Sequence, residues 1–347
     1  MKRFIAVSGL AFLVISTALQ AAESTPTSTG ARTTTLVITP SRFDTGAADS
    51  LLVKAADQTE GDAVPFYDEA VANMPTNINS GQLSDWARAP LDELPGGEVE
   101  AFLKRAQPCL ESITKAAHCK DCNWPAFVAG QQPEHLSEYR LLTYMVLLKA
   151  RSEIASQQYE DAIGTMQTGM TMARQIGEAP TLVQGLVGIA VEAVMLRGVD
   201  DFSQAPESPN LYAALKALPR PLIDIETPIN SELKALETST EYSPAVRDAM
   251  REQMKPAYDR VRQLVQRSSS ELGARQCIEG IRNYAATHDR DLPAQLSDIA
   301  GVDLPDDPIT DKPYAYRVND GQAVLETGVP ACGSAREAMR FEITMAH

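Results

Sequence analysis

Between residues 134 and 199, apolar positions recur at helical spacing with little interruption. Residues 136–156 are apolar on more than one face, and Gln157-Gln158 then breaks the pattern. Ala162, Ile163, Met166, Met170 and Ala173 resume it over 159–176, with Gly177 placed to cap the helix. Residues 181–199 are apolar nearly all round, which predicts a central helix. Short turns between the three segments predict antiparallel neighbours.

Weaker patterns flank this region. Over 62–74, Val64, Tyr67 and Val71 share one helical face, with Asp62 as N-cap. Trp86 sits in a short element ended by Pro90. Over 98–117, Val99, Phe102, Ala106, Leu110 and Ile113 keep helical spacing, and Pro108 should kink or restart that helix. Asn210 caps a segment carrying Leu211, Tyr212, Leu215 and Leu218, closed by Pro219 and Pro221. Ser243-Pro244 starts a long charged helix that Pro256 should interrupt. Cys277, Ile278, Ile281 and Tyr284 mark another helix, ending near His288. The chain then becomes rich in Pro and Asp, and strands at 314–318 and 323–325 flank Asn-Asp-Gly, a hairpin signal. The expected fold is mainly α: an antiparallel helical bundle or repeat-like body with a small α+β tail of helix plus β-hairpin.

The first residues follow the grammar of export. Lys2 and Arg3 precede an apolar run over 4–19, and small residues follow at Ala21 and Ala22. A cleaved signal over 1–22 is expected; an uncleaved N-terminal anchor is the alternative. No cysteine follows the run, so a lipoprotein signal is not indicated. The segment 23–50 reads as a linker with a short extended piece at 33–38. The helical domain is expected over 51–267 and the α+β segment over 268–347. No integral membrane span is expected after cleavage, since 182–199 contains Gln184 and Glu192 and reads as a buried helix.

Three resemblances bear on architecture. AIGTMQTGMTMAR, preceded by QQYEDA, resembles the second half of a tetratricopeptide repeat through Tyr159, Ala162, Met166 and Gly169, although no 34-residue period is sustained. NYAATHDRDLP followed by DPITDKPYAYR is similar to the C-terminal part of type II secretion pseudopilins, which implies local structure rather than a place in a pilus. Taken whole, through DELPGGEVEAFL, CNWP, YEDAIGTMQTGMTMAR and SPNLYAALKALPRPLID, the chain resembles an uncharacterised family of exported, mainly helical proteins of planctomycete-type bacteria. That resemblance implies architecture and no reaction.

Charge narrows the partners. The formal net charge is −15, and loss of Lys2 and Arg3 would make it more negative. Such a chain repels phosphate backbones unless it carries a basic stripe. Arg247, Arg251, Lys255, Arg260, Arg262 and Arg267 are interleaved with Asp248, Glu252 and Asp259, the pattern of a solvated helix face. Nucleic acid is therefore not an expected partner. The common catalytic and nucleotide-binding motifs are absent from the expected mature chain. S-x-x-K occurs at Ser112/Lys115 and Ser231/Lys234 without K-T-G or S-D-N. No cofactor is expected.

HCKDCNWP, at 118–125, is the stretch that most looks like chemistry. In an oxidising compartment Cys109, Cys119, Cys122, Cys277 and Cys332 are disulfide candidates. Cys109 to Cys119 or Cys122, a Cys119–Cys122 ring, and Cys277 to Cys332 are pairings to weigh. Zinc held by Cys109, His118, Cys119 and Cys122 lacks a second ligand pair, and a thioredoxin-like pair lacks a βαβ setting. The expectation is a structural role, with Trp124 a buried anchor. Asp306, Asp307 and Asp311 are calcium ligands by type, though a solvated turn is the plainer reading. Trp124, Tyr212, Arg220 and Asp224 form a candidate binding patch, against which stands the ordinary use of such residues to cap one helix and brace the next.

Two function classes follow. One is an exported, non-catalytic module of the cell envelope, periplasmic or extracellular, that binds a protein or peptide. The other is a cell-envelope hydrolase whose acidic active site is dispersed in sequence. A deep pocket with converging acids would favour the second; a shallow apolar groove would favour the first.

Overall fold

The computed structural model describes residues 30–43, 49–126, 133–240, 242–331 and 333–346. The expected signal and Cys332 lie outside the described residues.

The protein is mainly helical, with a small sheet region that includes its C-terminal end. Helices α1 (Val64–Ala72) and α2 (Ser80–Trp86) precede the longer α3 (Gly96–Ala117). Then come α4 (Leu136–Ala155), α5 (Tyr159–Gly177) and α6 (Leu182–Gln204), which pack on one another as the apolar pattern requires. Gly188 lets α6 approach α5 closely: a Cβ there would stand 2.7 Å from the Ala173 carbonyl oxygen. Helix α6 is long and apolar enough by composition to cross a membrane, yet it packs against α4, α5 and a later helix, so its apolar surface is covered within the fold.

Short α7 (Tyr212–Lys216) and α8 (Glu226–Thr238) lead to α9 (Pro244–Ala285), 42 residues long. Pro256 lies inside α9 and Pro108 inside α3, and neither ends its helix. A proline removes one backbone donor, and the turns around it hold both helices together. At Pro108, Ser112 Oγ donates to the carbonyl oxygen at 3.1 Å. Helix α9 also runs unbroken past position 267, the expected domain boundary. Its first turns are mostly exposed, whereas nearly every residue from Ser268 to Arg282 is buried.

The buried half of α9 lies against a four-stranded sheet. Strand β1 (Arg32–Ile38) pairs in parallel with the last strand, β8 (Met339–Met345). Strands β6 (Ala315–Asn319) and β7 (Gln322–Glu326) complete the order β1-β8-β7-β6. Asp320 and Gly321 both take positive φ between β6 and β7, the tight turn that the Asn-Asp-Gly signal predicts. Leu36, Ile38, Leu325, Phe341 and Ile343 point inward onto Ala274, Cys277, Ile278 and Ile281 of α9. The tail thus exceeds a hairpin: the piece read as extended at 33–38 is an edge strand of its sheet. Two minor pairs remain, β2 (Thr59–Asp62) with β3 (Cys119–Asp121), and β4 (Asp306–Asp307) with β5 (Lys312–Pro313).

Candidate functional site

The HCKDCNWP loop leaves the end of α3 and crosses beside α5. His118 Nδ1 lies 2.8 Å from the Thr114 carbonyl oxygen, which commits that ring nitrogen to the helix end. Cys119 Sγ donates back to the Lys115 carbonyl at 3.3 Å, and Cys122 Sγ points to the Gln175 carbonyl at 3.8 Å. Cys109 faces the core, its Sγ 3.8 Å from Met145 Sδ. Cys109, Cys119, Cys122 and Cys277 are therefore free thiols, and the disulfide expectation is corrected. The physical reason is direction: each thiol is turned to a different neighbour. Burial pushes Cys109, Cys122 and Cys277 up to about 12, which keeps them protonated at neutral pH.

Gln175 does the fastening that a disulfide was expected to do. Its carbonyl accepts from Trp124 Nε1 at 2.7 Å. Its side chain donates to the Ala116 and Cys119 carbonyls and accepts from the Tyr67 hydroxyl at 2.5 Å. Trp124 lies parallel to Tyr67 with centroids 6.1 Å apart and meets Tyr139 edge-on. Trp124 is thus a half-buried anchor. Gln175 had no sequence signal beyond being a polar residue inside an apolar helix.

The other candidates do not assemble with Trp124; their polar contacts share no residue. The Tyr212 hydroxyl donates to the Asp303 carbonyl at 2.6 Å. Arg220 donates to Gln276 of α9, which braces the loop before α8. Asp224 accepts from Glu226 N at 2.9 Å and from Thr227 Oγ1 at 2.7 Å, so it caps α8. Asp307 is buried and saturated: Oδ1 accepts from Ser270 Oγ and Ile309 N, and Oδ2 from Gly328 N. Asp306 and Asp311 are exposed, and among the described residues no group of three His, Cys, Asp or Glu side chains is placed to hold a metal ion. The calcium reading of Asp306, Asp307 and Asp311 is corrected accordingly, because the central carboxylate is occupied by the fold itself.

A set of buried ions was missed by sequence reasoning. Arg275 forks onto Asp200 with two contacts of 2.8 Å, and Arg151 Nε meets Asp201 at 2.8 Å. Arg282 has no exposed side-chain surface; it binds both Glu279 oxygens, the Thr39 carbonyl and Ser208. Burial pushes Glu192 up to about 7, with neighbouring Glu271 adding to the rise and Arg275 opposing it. These groups pin α6, α9 and the N-terminal strand together.

Among the depressions of the described surface, two lie near these elements. One, of about 370 Å³, lies between β2, α1 and the end of α3, bordered by Glu60, Phe66, Lys115, His118 and Cys119. The other holds about 50 Å³ beside Trp86, Phe102 and Arg105. The larger is shallow, with one apolar wall and charged rims. None of the buried carboxylates opens into either. No family profile, curated protein or solved structure matches this chain.

Proposed function

We propose that this chain is an exported helical scaffold of the cell envelope that binds a protein or peptide and performs no catalysis. The observation that carries this reading is the separation of acids from concavities. Asp200, Asp201, Glu279 and Asp307 are each held by the fold, and the hollow beside the HCKDCNWP loop is a shallow one between Phe66 and Lys115. An antiparallel, repeat-like arrangement of α4, α5 and α6 would suit such a body, and their mutual packing supports it. The hollow meets a partner through Phe66, with Lys115 and Glu60 at its rim setting orientation.

The alternative is an envelope hydrolase with a dispersed acidic site. Its best acid is Glu192, whose protonation near neutrality suits proton transfer. Glu192 is 2% exposed, which separates it from any substrate in this conformation. The experiment compares pull-downs from the envelope fraction by wild type and by Phe66→Glu and Lys115→Glu. The expected result is a partner recovered by wild type and lost by both variants. Turnover of an envelope polymer or ester by wild type, abolished by Glu192→Gln, would overturn the proposal.

A further inference from the structure

The smaller depression, of about 50 Å³, lies where the loop after α1 meets α2 and α3. Part of its wall is aromatic. Trp86, at the end of α2, meets Phe102 of α3 edge to face, with ring centroids 6.1 Å apart. Phe102 is buried and Trp86 half-buried. The loop turns at Asn77, whose φ of 60° asparagine tolerates better than most residues. Asn79 then caps α2, its Oδ1 accepting from Gln82 N at 3.1 Å. Arg105, one turn past Phe102 on α3, holds its guanidinium carbon 5.6 Å from the centre of that ring.

The lining carries donors and no acid. No Asp or Glu borders the pocket, and Arg105 has no carboxylate within 4.0 Å among the described residues. Its guanidinium meets the face of Phe102, an attraction that consumes none of its N–H donors. Thr76, Asn77 and Gln82 are exposed, and among the described residues their side chains make no hydrogen bond. Surface arginines on α9 are placed differently: Arg251 meets Glu237 and Arg262 meets Glu226. With 46 acidic side chains against 31 basic ones, a pocket with an arginine and no acid runs against the composition of the chain.

We propose that this pocket binds a carboxylate on a short apolar stem, with Arg105 as its charge partner and the Trp86–Phe102 pair against the stem. A carboxylate is planar and accepts through both oxygens, which suits the guanidinium fork. The amides of Asn77 and Gln82 and the Thr76 hydroxyl can donate to its remaining lone pairs. Size limits the ligand: a water-sized group needs roughly 10–15 Å³, so 50 Å³ takes about three to five heavy atoms. That is a carboxylate with one or two carbons, and it is too little for a sugar ring with its hydroxyls. The aromatic wall disfavours a phosphate monoester, whose three peripheral oxygens would need donors on every side. The carboxylate belongs either to a small free acid or to the C-terminus of a peptide. The residues differ from those of the Phe66 and Lys115 hollow, so either assignment can fail alone.

The test uses the two tryptophans of the chain, Trp86 and Trp124, as reporters. Each indole N–H gives one peak in a proton–nitrogen correlation spectrum of the purified protein, and Trp86→Phe assigns them. Titration at low salt with sodium propionate and with N-acetyl-alanine should shift the Trp86 peak saturably and leave the Trp124 peak in place. Propionamide and N-acetyl-alaninamide, which keep the shape and lose the charge, should bind at least about tenfold more weakly, the scale of one charge-assisted hydrogen bond. Arg105→Gln should weaken both acids by a similar factor; Arg105 is exposed, and circular dichroism checks that the variant keeps the fold. Arg262→Gln, which removes an exposed arginine paired with Glu226, should leave affinity unchanged. Tighter binding of N-acetyl-alanine than of propionate would assign the group to a peptide C-terminus, and the reverse order to a free acid. Absence of a saturable Trp86 shift, equal binding of the amides, or binding that a folded Arg105→Gln leaves intact overturns the proposal.

Discussion

Around the second half of α9, Arg275 and Arg282 each meet a carboxylate at 2.8 Å. Between α2, α4 and α6, Arg140 and Arg197 meet none within 4.0 Å. Helix α6 serves both places, with Arg197 only three residues before Asp200. The first group is closed, satisfied and remote from water. In the second, Arg140 is exposed and Arg197 half-buried. A buried ion left without its partner costs several kcal/mol, so the first group must be complete before the chain folds stably. Cations at a surface tolerate incompleteness, because water solvates them.

The largest test of the contrast is Arg282→Ala. It strands the buried Glu279 carboxylate and removes the contacts to the Thr39 carbonyl and Ser208 that tie the N-terminal segment to α9. A loss of about 3–5 kcal/mol is expected, from the cost of breaking a buried pair by removing one member. Urea unfolding followed by circular dichroism measures it. A loss under about 1 kcal/mol would show that the cluster is solvated and that the two regions do not differ as argued.

A smaller effect is expected at Glu192. Its folded pKa, raised from 4.5 to about 7 by burial, lies above its unfolded value. The folded chain therefore keeps a proton that the unfolded chain releases between those two values. The stability linked to this group is fully present below the unfolded pKa and is lost as pH rises through the folded one. Measured against Glu192→Gln, which stays neutral, wild type should lose roughly 3 kcal/mol between pH 4.5 and pH 8. Parallel pH profiles for the two proteins would mean that Glu192 is solvated after all. Taking the difference matters, because Asp200 and Asp201 are raised and Glu271 is lowered in the same cluster.

These clusters also mark where the sequence stops being informative. The helices at 136–156, 159–176 and 181–199 were legible because apolar spacing is a local property, and the structure places α4, α5 and α6 there within a few residues. The hairpin was legible because Asn319-Asp320-Gly321 specifies its own turn. Strand β1 was legible as extended chain but not as a partner of β8, since pairing Arg32 with Met339 leaves no local trace. Cysteine count suggested disulfides, yet bonding depends on thiol direction, which packing against Met145 and Gln175 decides. Charged positions in helices read as solvated by default. That reading serves Arg251 and Arg262, whose partners Glu237 and Glu226 are exposed with them. It fails at Arg267, whose side chain is 15% exposed beside Glu271, and at Arg260, which pairs with buried Glu337; Arg275 and Arg282, outside that reading, are buried altogether.

The smallest effect is expected where charge is unbalanced. Arg140→Gln removes one of the cations that act on Tyr144 and breaks only a contact of 3.4 Å. Arg140 is exposed, so its removal costs little burial. Stability should therefore stay within about 0.5 kcal/mol of wild type, shifted toward gain at low salt, where surface repulsion is least screened. A thermal melt at two salt concentrations reads this directly. A loss of 2 kcal/mol or more on Arg140→Gln would instead make this arginine part of the scaffold. The two clusters would then be variants of one structural device.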